Sequence, residues 1–126
     1  MRNVRISGTG VAIPEKIVTN ADLSAMLGED INDFVVNNLG IEERRVLADD
    51  ESAADIASEA AQNALRDAGI SAEDLDLIIV ATDTPEYLSP GTSVVVQHRI
   101  GAKNAGTFDT NCACAGFVTA FDTACK

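Results

Sequence analysis

Positive charge is scarce in this sequence: nine lysines and arginines stand against twenty aspartates and glutamates, a formal net charge of -11. Nucleic acid and anionic membrane surfaces repel such a chain, so neither is expected as a partner. Long apolar runs are missing as well. The longest, Leu75 to Ala81, contains Asp76 and is far too short to span a bilayer. The opening MRNVRISGTG has basic residues but no apolar stretch behind them, so it does not read as a signal peptide. Repeats and low-complexity segments are absent. Histidine occurs once, at His98, and the three cysteines, Cys112, Cys114 and Cys125, all fall in the last fifteen residues. A secreted disulfide scaffold spreads its cysteines along the chain; this clustering reads as a reducing, cytoplasmic setting. Cys112 and Cys114 are one residue apart and His98 lies in another element, so no metal site is expected.

What remains is an ordinary globular composition, 46% hydrophobic and 23% charged, in 126 residues. That is one domain's worth, read as a single domain over residues 1–126. Val4, Ile6, Val11 and Ile13 alternate like a first strand, punctuated by Gly8 and Gly10 and closed by Pro14. Asn20 suits the N-cap of a short helix that Gly28 ends, and a second short helix runs through Phe34 and Val35 to Leu39 before Gly40. The clearest helix spans Ser52 to Ala68. Ser52 and Asp55 have capping-box spacing, and Ala53, Ala57, Ala60, Ala64 and Ala68 form a narrow face that allows close approach of a neighbour. Leu75 to Thr82, apolar almost throughout, suits a parallel strand buried on both faces. Ser89 as cap and Pro90 in the first turn open a segment toward Gly101, whose Val94-Val95-Val96 fits helix or strand. Gly106 to Asn111 reads as a strand, and the residues from Ala115 onward are helix-compatible. This alternation is an α/β layout with a largely parallel sheet flanked by helices.

Chemistry concentrates where the last strand runs into small residues and a glycine, at Phe108-Asp109-Thr110-Asn111-Cys112-Ala113-Cys114-Ala115-Gly116-Phe117. A tight strand-to-helix turn exposes a side chain, and the following helix directs its dipole and free N–H groups at it. A thiol so placed gains thiolate character, and the same N–H groups can stabilise an oxyanion. From the residues alone the competing reading of Cys114 is a small buried hydrophobe. His98 reads as an exposed helix residue.

The segment Ala113-Cys114-Ala115-Gly116-Phe117 preceded by Phe108-Asp109 resembles the active-site segment of the β-ketoacyl-acyl-carrier-protein synthase III family. Gly8-Thr9-Gly10 to Pro14, Thr19 to Leu23, Gly40-Ile41 with Arg44-Arg45, Asp67 to Ile70 and Leu77 to Thr82 resemble further blocks of that family in order and spacing. The resemblance implies the N-terminal half of a thiolase-like fold, incomplete in this chain, in a protein that is usually a homodimer. It implies Cys114 as the catalytic nucleophile, accepting an acyl group from a coenzyme A thioester. Decarboxylation of malonyl-acyl carrier protein then supplies the carbanion that attacks the acyl-cysteine, a carbon–carbon bond-forming step of fatty acid or related polyketide biosynthesis. Coenzyme A enters as a substrate thioester, and no separate cofactor is implied. Cys112 and Cys125 keep a structural reading. The family's assisting histidine and asparagine lie in its second half, which this sequence does not reach, so the chain by itself is expected to be inactive.

The resemblance also marks candidate substrate-binding residues by departure. Where the family carries a tryptophan and an arginine beside the adenine of coenzyme A, this sequence has Phe34 and Asn38; an aromatic face is kept and a cation lost. The alternative for Phe34 is a core residue. Ser89 stands where short-primer members carry a bulky aromatic before the proline, which leaves room for a longer primer, with Tyr87 near enough to limit it; the alternative for Ser89 is a plain helix cap. Two further readings stay open: another thiolase-fold branch, hydroxymethylglutaryl-CoA synthase-like or quinolone-type, and a non-catalytic half-fold scaffold.

Overall fold

A computed structural model describes residues 4–126. The chain divides into two compact units, one formed by Ile13–Glu51 and the other by residues 4–12 with Ser52–Lys126.

In the first unit, strand β1 (Lys16–Thr19) pairs antiparallel with β2 (Glu43–Val46), in register from Lys16 opposite Val46 to Thr19 opposite Glu43. Helices α1 (Asn20–Leu27) and α2 (Asn32–Leu39) lie between them in sequence, each ended by a glycine at positive φ, Gly28 at 75° and Gly40 at 67°. Only glycine adopts that conformation without steric cost. The N-cap of α1 is Thr19, not the expected Asn20: Thr19 and Asp22 form a capping box. Asn20 is instead the first helical residue and is 2% exposed. Its amide donates to the Ile41 carbonyl at 2.9 Å and its oxygen accepts from Arg44 Nη2 at 2.7 Å, so a buried polar side chain is satisfied. That network joins α1 to the strand β2.

The second unit is built on α3 (Ala53–Ala68), which has the expected capping box: Ser52 N–H and Oγ both donate to Asp55 Oδ2, at 2.8 and 2.6 Å. Its small-residue face receives the segment carrying Gly8 and Gly10. A Cβ at Gly8 would come within 2.6 Å of the Ala64 carbonyl, and one at Gly10 would strike the backbone of Ala60 and Ala64. The expected strand through Val4–Ile13 does not form. Among the described residues the segment has no strand beside it; side chains of α3 hold it, with Thr9 N–H donating to Asp67 at 2.9 Å and Asn63 donating to the Val11 carbonyl at 2.7 Å.

Beyond α3, strands β3 (Leu77–Ala81) and β4 (Gly106–Thr110) pair in parallel, from Leu77 beside Gly106 to Ala81 beside Thr110, with α4 (Thr92–Ile100) as the crossover. The Val94-Val95-Val96 run is helical, with Val96 2% exposed. Residue Gly91 caps α4, not Ser89, and Pro90 lies ahead of the helix. The strand β3 is not buried on both faces as expected: Ile78, Ile79 and Val80 are half-buried and Leu77 is 42% exposed. Among the described residues it has a strand neighbour along one edge only, and the face toward α5 (Gly116–Ala124) is an open groove. The α/β class expected from the sequence is the one observed. Among the described residues no helix is long and apolar enough to cross a membrane.

Candidate active site

The parallel pair β3–β4 delivers two chain ends to one place. The ladder continues one bond past the strands, Thr82 N–H donating to the Thr110 carbonyl at 3.1 Å. After Thr110 the chain turns within three residues. Cys112 is extended in φ (-149°), and Ala113 takes φ 48°, the positive-φ region that non-glycine residues avoid. That conformation costs an alanine about 1–2 kcal/mol. Cys114 is the middle residue of the 3-10 turn Ala113–Ala115, and α5 follows at Gly116. Cys114 is exposed and stands at a strand-to-helix junction.

Three backbone amides of the turn have acceptors. Ala113 N–H donates to Asp83 Oδ1 at 3.2 Å, Ala115 N–H to the Cys112 carbonyl at 3.1 Å, and Gly116 N–H to the Ala113 carbonyl. The amides of Ala115 and Gly116, the nearest part of the helix start, are therefore engaged in closing the turn and not free to receive an oxyanion. Gly116 is buried, and a Cβ there would lie 3.1 Å from Cβ of Ala81, so α5 starts flush against the end of β3.

Cys112, the residue before this turn, has its thiol hydrogen-bonded within the site. Its Sγ lies 3.3 Å from Thr110 Oγ1. Hydrogen bonding to the Thr110 hydroxyl, and then to that of Thr119, holds its pKa below the ordinary thiol range; slight burial and the charge of Asp83 oppose the shift. Cys112 lines an open groove of about 980 Å³ between β3 and α5, with Ile79, Asp83, Gly116, Phe117 and Phe121 among its walls. Phe117 and Phe121, one helical turn apart, stack with ring centroids 6.0 Å apart. Cys114 is not among the groove's lining residues. Cys125 is half-buried near the end of α5.

A carboxylate missed in the sequence braces this region. Asp109 of β4 accepts from the backbone N–H groups of Thr92 (2.6 Å) and Ser93 (2.7 Å), the first turn of α4. A negative side chain there satisfies orphan donors and complements the helix dipole. A Cβ at Gly91 would meet Asp109 Oδ2 at 2.7 Å, so glycine gives the carboxylate room. The signal in the sequence was an aspartate inside an otherwise strand-like run, which needs a partner wherever it is placed.

The remaining candidates lie elsewhere. Ser89 is exposed and does not cap a helix. Tyr87 is 52% exposed; its hydroxyl is hydrogen-bonded to the Glu86 carboxylate, which raises the phenol's pKa and lowers the carboxyl's. Neither lines the groove beside Cys112. In the other unit, Phe34 is 66% exposed, and Asn38 one turn later on α2 donates back to the Phe34 carbonyl at 2.8 Å. His98 is an exposed residue of α4, as expected. Among the described residues no three histidines, cysteines or acids gather as a metal site would require.

No family model matches the chain. Individual proteins match strongly. The chain is 44% identical over 124 residues to the β-ketoacyl-[acyl-carrier-protein] synthase III of Clostridium acetobutylicum, covering 98% of this chain and 38% of that protein. The crystal structure of 3-oxoacyl-[acyl-carrier-protein] synthase III from Aquifex aeolicus superposes with a TM-score of 0.87 at 41% identity, over 94% of this chain and 38% of that one. The priming β-ketosynthase of the R1128 polyketide biosynthetic pathway superposes with the same TM-score, 0.87, at 34% identity, over 95% of this chain and 36% of that one. The chain thus spans a little over a third of the length of the proteins it matches.

Proposed function

This chain resembles the N-terminal part of β-ketoacyl-acyl-carrier-protein synthase III in sequence and in fold, and from that premise we propose that the protein is a condensing acyltransferase with Cys114 as its acyl-accepting nucleophile. One observation carries the reading. The cysteine of the resembled segment stands exposed on a one-turn connection between a parallel strand and a helix, held by a backbone in a costly conformation. Such strain persists where the surroundings over-determine it, and it clusters at functional turns.

The chemistry follows from the thiol. The Cys114 thiolate attacks the carbonyl carbon of an acyl-CoA; the tetrahedral oxyanion collapses, and the thiolate of coenzyme A leaves and takes up a proton. Malonyl-acyl carrier protein then loses carbon dioxide, and the carbanion it leaves behind attacks the acyl-cysteine carbonyl. A carbon–carbon bond forms, and Cys114 is released as thiolate. Acyl-CoA and malonyl-acyl carrier protein are the substrates in this reading, and the protein works as a homodimer. The exposed face of Phe34 on α2 supports stacking against the adenine of coenzyme A, without help from a cation at Asn38.

Mass spectrometry of the full-length protein after mixing with acyl-CoA tests this. The expected result is one acyl adduct on the peptide carrying Cys114, lost in Cys114→Ala and kept in Cys112→Ala. An adduct that persists in Cys114→Ala, or none on the folded wild type, overturns it.

A further inference from the structure

Taking the Cys114 reading as its starting point, we propose that Asp83 is a positioning residue for the cysteine turn: its carboxylate, reaching across from the end of β3, holds the Ala113 amide and so fixes the backbone that presents Cys114.

The argument starts from the ladder. Parallel register places Ala81 beside Thr110, and the Thr82–Thr110 bond carries the pairing one step further. Past that point the two strands part. On the β3 side the Thr82 hydroxyl accepts from Thr84 N–H at 3.1 Å, a tight local turn with Asp83 at its tip. On the β4 side the chain reaches Ala113 three residues beyond Thr110. The two excursions meet where Ala113 N–H donates to Asp83 Oδ1 at 3.2 Å.

Ala113 needs that contact. Its φ of 48° is unfavourable for any residue with a Cβ, and the turn's backbone–backbone bonds lie on its far side, at Ala115 and Gly116, with the Thr110–Cys112 side-chain contact before it. A charged acceptor on the near side pins both faces of the turn. Asp83 touches no reacting atom; it acts through Ala113 on the residue that follows. Its charge also reaches the neighbouring thiol of Cys112, where it opposes thiolate formation. A substitution must therefore separate contact from charge. Asparagine keeps Oδ1 as an acceptor and removes the charge, whereas alanine removes both.

The test compares wild type, Asp83→Asn and Asp83→Ala in the full-length protein. Hydrogen exchange at the Ala113 amide should quicken about fivefold or more in Asp83→Ala, the loss of one hydrogen bond, and stay within about twofold in Asp83→Asn. Single-turnover acylation of Cys114 should slow by a similar factor in Asp83→Ala at saturating acyl-CoA. The half-saturating concentration should not change, and Asp83→Asn should recover the rate. A general loss of stability would instead alter exchange throughout the unit and would not be rescued by asparagine alone. Wild-type exchange at Ala113 in Asp83→Ala, or an Asp83→Asn variant as impaired as Asp83→Ala, overturns the proposal. Wild-type acylation with faster exchange overturns it too, because the contact would then not matter to the thiol. If no form takes an acyl group while the exchange contrast holds, the acyltransferase reading fails and Asp83 stands as the residue that fixes the turn.

Discussion

Asp109 offers the sharpest check on how β4 and α4 hold each other. It supplies two short hydrogen bonds, at 2.6 and 2.7 Å, to the N–H groups of Thr92 and Ser93, residues only 3% and 1% exposed. A hydrogen bond to a charged acceptor contributes about 1.5–3 kcal/mol when shielded. Asp109 is itself exposed, so solvent screening brings the pair toward the low end, in line with the ~1 kcal/mol usual for losing a helix cap. Asp109→Ala, which orphans both donors, should therefore destabilise by about 2 kcal/mol. Asp109→Asn keeps one good acceptor and should cost about half as much. Gly91→Ala supplies the internal control. Its new Cβ would sit 2.7 Å from Asp109 Oδ2 and push the carboxylate off its donors, so alone it should cost nearly as much as Asp109→Ala. In the Asp109→Ala background the obstacle is gone, and the same substitution should cost little. Urea unfolding followed by circular dichroism gives all four free energies. An Asp109→Ala variant within about 0.5 kcal/mol of wild type, or a Gly91→Ala cost that is the same in both backgrounds, refutes the reasoning.

Other outcomes follow from the same structure. Alkylation of Cys112 should begin at lower pH than that of an ordinary thiol, since the Thr110 and Thr119 hydroxyls favour its thiolate; Thr110→Val should move the onset upward, seen by peptide mapping after brief iodoacetamide labelling. The Asp55 carboxyl is held below its ordinary pKa by its bonds to the Ser52 hydroxyl and amide, with a smaller part from Arg99, 2.9 Å away. Its folded value is the lower one, so its stabilisation is present above the unfolded value near 3.9 and fades as pH falls through the folded value. Asp55→Asn should flatten the acid limb of a stability–pH curve, and an unchanged limb counts against the cap. For substrate choice, Ser89→Phe should shift kcat/KM ratios toward short acyl-CoA primers and Phe34→Ala should raise KM for acyl-CoA; unchanged ratios and KM would remove both residues from substrate binding.

Much of the fold was legible in the sequence because it rests on local chemistry. The Ser52–Asp55 box, the alanine face of α3 and the glycines at positions 28 and 40 each act within a few residues, and the structure shows that cap and those left-handed stops where they were read. The strand-to-helix position of Cys114 was legible for a similar reason: strand propensity, then small residues, then helix, in immediate succession.

What went unread depends on residues far apart in the chain. Alternation made Val4–Ile13 look like a strand, but a strand is defined by a partner, and here the neighbour is a helix face that accepts glycines. Asn20 looked like a cap because caps are local, whereas Arg44 and Ile41 draw it inward. Ser89 has the right residue type, yet the acceptor that reaches the start of α4 comes from Asp109, seventeen positions after Thr92. The same holds at the candidate site. The sequence alone placed Cys112 and Cys114 at a strand-to-helix turn, because a strand-like run, small residues and a helix-compatible run follow one another in one short segment. Only the tertiary structure decided what surrounds it. The parallel register of β3 and β4 brings Asp83 to Ala113, and the packing of α5 brings Thr119 to Cys112, and no local pattern specifies pairings closed by through-space hydrogen bonds between separate elements.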